Sequence, residues 1–172
     1  SRRQRQMCIR DRIQVARKKD ALNDWGSIVA LTYIAAQRTL YGYNDMADAK
    51  ALLESIARSF GYIYGREKHV RVNTVSQSPT PTTAGNGVLG MGDLMEFAEN
   101  MSPLGNASAA DCADYVLTLF SDLTRKVTMQ NLYHDGGFSS MGMSRRAMKT
   151  YEKGLRFDDV HQNQYPFGDG EK

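Results

Sequence analysis

Two short β-branched apolar runs flanking one long amphipathic stretch constrain the fold of this chain more than any other feature. Residues 27–33 (SIVALTY) have the length and composition of a strand buried on both faces, which predicts a central strand. Residues 43–64 repeat apolar side chains at Met46, Ala49, Leu53, Ile56, Ala57 and Phe60, the i, i+3, i+4, i+7 series of a helix with one buried face. Asp45 and Asp48 fall in its first two turns, where negative charge suits the helix dipole. Gly65 and the charged residues 66–68 are expected to end it. Residues 69–76 (HVRVNTVS) place Val70, Val72 and Val75 among polar residues over a strand's length. Strand, helix, strand is the right-handed parallel crossover, with the helix lying against the sheet it builds. The expected class is therefore α/β.

The remaining elements are read from breaks and caps. Residues 77–92 hold Pro79, Pro81, three threonines and four glycines, and a loop this long commonly serves as a lid or binding loop. A short helix is expected within it at 91–101. Ser108 followed by Asp111 starts a capping box, and Cys112, Ala113, Val116, Leu119 and Phe120 are expected on the buried face of the helix behind it. Residues 129–134 supply another strand. Residues 13–23 suit the end of a helix, and the polar tail 151–172 is assigned no structure.

Charge distribution narrows the function classes. The chain has 172 residues, long enough for one domain with a core, and a net charge of +3. Eight basic side chains lie in residues 1–20 against Asp11 and Asp20, so that segment carries +6 and the rest −3. A mildly acidic body gives no reason to expect nucleic-acid backbone contacts. Cys8 and Cys112 are too far apart for metal-ligand spacing, and a reducing, cytoplasmic setting fits them. The longest apolar stretch, residues 27–36, is far below the roughly 18–20 residues that span a bilayer. No metal site is implied; His134, at a strand end, is expected to pack or hydrogen-bond.

Residues 1–12 (SRRQRQMCIRDR) show neither amphipathic period nor an apolar run and read as a tail. The segment resembles the peptide obtained when sequencing-adapter DNA is translated as gene, so it is set aside as non-native and the domain is taken as residues 13–150.

Parallel sheets bind ligands beyond the carboxyl ends of their strands, which singles out Tyr33 and residues 76–84. The intervening helix starts at Tyr43 near the same edge, so Tyr33, Tyr43 and the threonine loop should converge. Lys50, seven positions after Tyr43, returns to within about 20° of the same helix face. A phenol and an ammonium there can stabilise negative charge developing on a carbonyl oxygen and hold sugar hydroxyls. Spacing alone favours a plainer reading, in which Tyr43 caps the helix and Lys50 is a solvated lysine.

The blocks LTYIAAQRTLYGYNDMADAKALLE (31–54), VRVNTVSQSPTPT (70–82) and HDGGF (134–138) together resemble the enoyl-acyl-carrier-protein reductases of the divergent short-chain dehydrogenase group. Their hallmark, Tyr, six residues, Lys, with a second Tyr ten positions earlier, matches Tyr43, Lys50 and Tyr33. Ordinary short-chain dehydrogenases carry Lys four after Tyr, whereas this chain has Ala47 and Asp45 four after Tyr43 and Tyr41. The resemblance implies a Rossmann-type doubly wound parallel sheet of which only the C-terminal part is present, the first strands and their Gly-rich turn being missing. It implies reduction of a trans-2-enoyl thioester on acyl-carrier protein by hydride from NADH, NADPH remaining open, in a homotetramer to which the helix from Met46 to Phe60 contributes an interface. Periodicity alone equally allows that helix to be buried within one chain. In that reading Tyr43 hydrogen-bonds the thioester oxygen, Lys50 binds the nicotinamide ribose, and Tyr33 lines the acyl pocket, unless it merely packs as a strand-end aromatic.

The same resemblance makes Thr80, Pro81, Thr82, Thr83 and Ala84 a clamp on the cofactor's carboxamide and pyrophosphate through backbone amides. Pro81 departs from the family pattern and has no N–H to donate. Residues 85–101 become a substrate lid with Met91, Leu94, Met95 and Phe97 as apolar contacts, or otherwise an ordinary mobile surface loop. The half-length chain is expected to be inactive by itself. Two other readings remain: another short-chain reductase acting on a different unsaturated or carbonyl substrate, and a degenerate association domain without activity.

Overall fold

The computed structural model describes residues 2–40, 43–81 and 91–157, with side chains from residue 8 to 154. The chain divides into two compact units, Ser1–Ser139 and Ser140–Lys172, a boundary earlier than residue 150. The first unit carries a three-stranded parallel sheet in the order β1-β2-β3. Its strands are β1 (Ser27–Thr32), β2 (Arg71–Gln77) and β3 (Asn131–His134). Register runs from Ser27 opposite Arg71 to Thr32 opposite Ser76, and from Thr74 opposite Asn131 to Gln77 opposite His134. The carboxyl ends of all three strands therefore finish side by side, which is where a ligand is expected.

β2 is the central strand, buried at all seven positions. Among the described residues β2 pairs with β1 on one side, and Leu31 is 50% exposed. A composition fit for double-sided burial marks a strand as apolar without saying how many neighbours it has. Asn73 and Arg71 of β2 are enclosed with distant partners, whereas the Ser76 hydroxyl is buried without one. Asn73 Nδ2 donates to Val127 O at 2.9 Å and its Oδ1 accepts from Gln130 N at 3.1 Å, while Arg71 Nη1 donates to Thr124 O at 2.9 Å.

Helix α2 (Asn44–Lys68) is the predicted long helix extended by a turn. Leu53, Ile56, Ala57, Phe60 and Tyr64 form its buried face, and Ile56, Ala57, Phe60 and Tyr64 cluster with Val70 and Val72 of the second strand region. Each fully buried large apolar side chain contributes about 1.5–3 kcal/mol. Gly65 does not stop the helix. His69 does, in the left-handed region at φ 59°, with its N–H on Gly65 O and Val70 N–H on Tyr64 O, and Arg66 and Lys68 sit in the last turn, which the dipole favours. Gly61 lets the helix approach closely, since a Cβ there would lie 2.6 Å from Met129 Cγ.

Helix α1 spans Arg2–Lys18, so the unstructured tail expected over residues 1–12 is corrected. The segment holds neither Gly nor Pro and is rich in Arg and Gln, so propensity supports a helix where no apolar period announces one. Tyr64 Oη donates to Ile13 O at 2.6 Å, and Arg17 pairs with Glu67, fastening its end to α2.

Helices α3 (Met91–Met101) and α4 (Ala109–Phe120) follow. The capping box is present: Ser108 Oγ accepts from Asp111 N at 3.2 Å and Asp111 Oδ2 from Ser108 N at 2.8 Å. Only Cys112 and Leu119, two turns apart, are buried on α4; Ala113 and Phe120, expected beside them, are exposed, Phe120 by 51%. Each lies one residue, about 100°, around the helix from the face that meets β1, where Ser27 Oγ donates to Leu119 O at 3.0 Å.

In the second unit, α5 (Arg145–Phe157) overlaps the tail that was assigned no structure. Ser144 starts it, its Oγ accepting from Ala147 N at 3.1 Å, and strong helix formers carry it on. Among the described residues no helix is long and apolar enough to cross a membrane.

Candidate active site

The carboxyl ends of β1 and β2 open into a cleft of about 330 Å³, a volume in the range of small-molecule sites. Leu31, Thr32, Tyr33, Tyr43, Met46 and Lys50 line one side, Gln77, Ser78, Pro79 and Thr80 another, and Met91, Ala109 and Cys112 complete it. Chain direction explains the convergence. Tyr33 directly follows β1 and opens the single-turn 3-10 helix Ile34–Ala36, while Tyr43 is the N-cap of α2. Both therefore stand at one sheet edge. Their rings meet edge to face with centroids 5.4 Å apart, and both are buried, at 7% and 9% exposure.

The Tyr33 hydroxyl is buried without a hydrogen-bond partner. Burial raises its pKa, and Tyr43 and the Asp135 carboxylate push the same way, so the phenol stays a proton donor well beyond neutral pH. A buried hydroxyl left unpaired is uncommon and asks for a ligand or water. Lys50 is half-buried, its Nζ donating to Leu31 O at 3.0 Å, and burial lowers its pKa. The predicted neighbours Tyr33, Tyr43 and Lys50 are thus brought together. Asp48 is exposed on the same helix.

The loop after β2 is held from beneath. Ser78 Oγ accepts from Ala107 N at 2.9 Å, Ser78 N donates to His134 O at 3.2 Å, and Thr80 Oγ1 donates to Ser78 O at 3.0 Å. Gln77 Nε2 donates to Ala107 O at 3.3 Å, and its Oε1 lies 2.8 Å from His134 Nδ1. That contact fixes the Gln77 amide and calls for a proton on Nδ1, while the His134 ring stacks on Tyr115 at 4.8 Å. Thr80 reaches the cleft; Pro81 is exposed and does not line it. Thr82, Thr83 and Ala84 lie outside the described residues, as do residues 85–90 of the expected lid.

The described part of that lid, α3, rests on the site. Met91 and Leu94 pack against the Tyr33–Tyr43 cluster, Met95 is half-buried, and Phe97 is exposed but meets Phe138 edge to face at 6.1 Å. Its return leg is fixed by Asn106 N on Glu99 Oε2 at 2.6 Å and by Leu104 N on Gly136 O at 3.1 Å. Gly136 sits at φ 64°, and a Cβ there would fall 1.9 Å from Gly105 O, so this turn admits only glycine. The sequence points to Gln77 only as part of the loop 76–84 and to Cys112 only as a buried-face residue of its helix. Nothing local marks Cys112 as a wall of the cleft.

Comparison with known proteins gives concordant findings. The family model described as enoyl-(acyl carrier protein) reductase matches residues 11–139. A chloroplastic NADH enoyl-[acyl-carrier-protein] reductase of Arabidopsis thaliana is 34% identical over 125 residues, 72% of this chain and 32% of its own. The NADH reductase FabI of Rickettsia typhi is 32% identical over 135 residues, 77% of this chain and 51% of its own. The solved structure of a FabI–NADH complex from Alistipes finegoldii is 94% identical with a TM-score of 0.79, covering 91% of this chain and 55% of that one. The sheet is thus part of a Rossmann-type fold, and this chain spans about half the length of its bacterial relatives.

Proposed function

Because this chain belongs to the enoyl-(acyl carrier protein) reductase family, we propose that it forms the cofactor-clamping and catalytic half of an NADH-dependent enoyl-[acyl-carrier-protein] reductase of fatty-acid synthesis. The observation that carries this reading is the Tyr33–Tyr43 ring pair beside Lys50, with a buried, unpartnered hydroxyl at the cleft. These residues fit the nicotinamide–ribose end of a dinucleotide: a lysine at a half-buried wall, a threonine loop of suitable size, and a phenol awaiting a partner. When bound, the reduced nicotinamide supplies the hydride that reaches the β-carbon of a trans-2-enoyl thioester.

The chain's own residues do the rest. Tyr43 donates a hydrogen bond to the thioester oxygen as negative charge develops there, the interaction that gains most in the transition state. Tyr33 lines the acyl pocket and offers its protonated hydroxyl. Lys50 turns from Leu31 O to the ribose hydroxyls. Thr80 to Ala84 clamp the carboxamide and pyrophosphate, with Pro81 contributing shape but no N–H. Met91 and Leu94 cover the acyl chain and exclude water. The substrate is carried by acyl-carrier protein, and the complete enzyme is a cytoplasmic homotetramer.

The test is substrate discrimination. Completed to family length by an upstream nucleotide-binding half, the chain is expected to oxidise NADH with a trans-2-enoyl thioester and not with a β-ketoacyl thioester. The opposite preference would favour another short-chain reductase. Residues 13–172 alone are expected to show no turnover, and robust NADH oxidation by them would overturn the division of labour proposed here.

A further inference from the structure

Glu54 lies on α2 one helical turn beyond Lys50 and is buried to 3% exposure. Its Oε1 accepts from Thr32 Oγ1 at 3.0 Å and its Oε2 from Gln37 Nε2 at 3.1 Å. Gln37 Oε1 in turn accepts from Tyr133 Oη of β3. The two donors bracket one short segment. Thr32 is the residue before Tyr33, and Gln37 is the C-cap of the 3-10 turn that Tyr33 opens. A single carboxylate therefore grips both flanks of the turn carrying Tyr33 and fastens them to the helix carrying Tyr43 and Lys50.

Burying a carboxylate is unfavourable unless both oxygens are hydrogen-bonded, as they are here. A leucine would fill the space without that cost, but would leave Thr32 and Gln37 ungripped. Another hydrogen bond from α2 to this end of β1 is Lys50 Nζ on Leu31 O, the contact released if Lys50 turns to a ligand, while Tyr33, Ile34 and Ala35 also pack against Tyr43, Met46 and Ala47. That packing is not directional, and Glu54 then supplies the hydrogen bonds that set the turn's orientation on α2.

We propose that Glu54 is a positioning residue that fixes the turn from Thr32 to Gln37 on α2, so that Tyr33 meets Tyr43 edge-on and presents its hydroxyl to the cleft. It rests on reading Tyr33 and Tyr43 as the working pair, but its test reads ring geometry rather than turnover.

The test uses the full chain with isotope-labelled tyrosine, observed by NMR through the cross-peak between the Tyr33 and Tyr43 rings. Glu54→Ala is expected to lose that cross-peak. Glu54→Gln is expected to retain it, because the Gln37 amide can flip to meet the new donor. Val72→Ala, a core truncation away from the cleft, controls for lost stability and should keep the cross-peak. An intact cross-peak in folded Glu54→Ala, or its loss in Glu54→Gln or Val72→Ala, overturns the proposal. Should Glu54→Ala fail to fold, Gln37→Ala at an exposed position decides: a weakened cross-peak is expected, and an unchanged one refutes the idea. Missing reductase activity in the enzyme completed to family length, with ring geometry behaving as stated, would count against the enzymatic reading alone.

Discussion

The two ends of the parallel sheet are finished in opposite ways. At the amino ends of β1 and β2, Trp25 stacks on His69 with centroids 4.6 Å apart, and the Arg125 guanidinium lies 4.1 Å from its ring centroid. Lys68 donates to Leu22 O at 2.9 Å and Arg71 to Thr124, while Arg71 Nε and, at the start of β3, Asn131 Nδ2 are buried and unmatched. At the carboxyl ends the Tyr33 and Ser76 hydroxyls are buried and unmatched, beside a cleft. The amino end is covered by stacked rings and cations, whereas the carboxyl end sets its unmatched hydroxyls beside an open cleft. In an open parallel sheet this is the expected asymmetry, because strand polarity gathers the loops that can specialise at one edge.

The sharpest way to break the comparison is to alter each end and see whether the effects stay apart. In the enzyme completed to family length, Tyr43→Phe is expected to lower kcat by about 10²–10³, about 3–4 kcal/mol of barrier, with little change in melting temperature. Steady-state kinetics beside a thermal melt checks both halves of that statement. Trp25→Ala should do the reverse, costing about 2 kcal/mol of stability from the lost ring stack and cation contact while leaving kcat alone. Denaturant unfolding measures it, and a fall in kcat as large as that for Tyr43→Phe would abolish the distinction. Ser108→Ala removes the cap of α4, next to the loop that backs the cleft, and is expected to cost about 1 kcal/mol in the same unfolding assay.

The smallest effect concerns pH. Burial lowers the Lys50 pKa from the ordinary lysine value of 10.5, so its ammonium is lost at a lower pH than that of a free lysine. A cofactor contact that needs this cation weakens as pH rises through the lowered value. Stability moves the other way across the same window, rising with pH because the unfolded chain there binds more protons. NADH affinity measured from neutral to alkaline pH, compared between the parent and Lys50→Met, should show the extra decline only in the parent.

Much of the carboxyl edge was legible in the sequence because its order is local. Strand, helix and strand announce themselves by period and length, and polarity of the parallel strands then forces Tyr33, Tyr43 and residues 76–80 to one edge. The capping box at Ser108 is readable for the same reason. What escaped depends on partners remote in the chain. Asn73 is enclosed only because Val127 and Gln130 satisfy it, and Glu54 only because Thr32 and Gln37 do. An isolated glutamate on a helix reads as surface, and the carboxylate's burial is visible only once β1 is laid against α2. The end of α1 falls within residues 13–23 as expected, whereas its part before residue 13 and the start of α5 escaped because propensity supports them where apolar periodicity does not.

Trp25 is the chain's single tryptophan, and its place gives the molecule a built-in optical gauge. Gly26 and the six residues of β1 separate it from Tyr33, on the order of 25 Å at the rise of an extended strand. A nicotinamide seated at the carboxyl edge cannot touch the indole, so contact quenching by bound cofactor is ruled out by distance. Emission changes on adding NADH then report energy transfer across the sheet, while those on adding NAD⁺, which accepts no such energy, report a shift in the His69 stack. The same fluorophore thus distinguishes occupancy of one end from disturbance of the other.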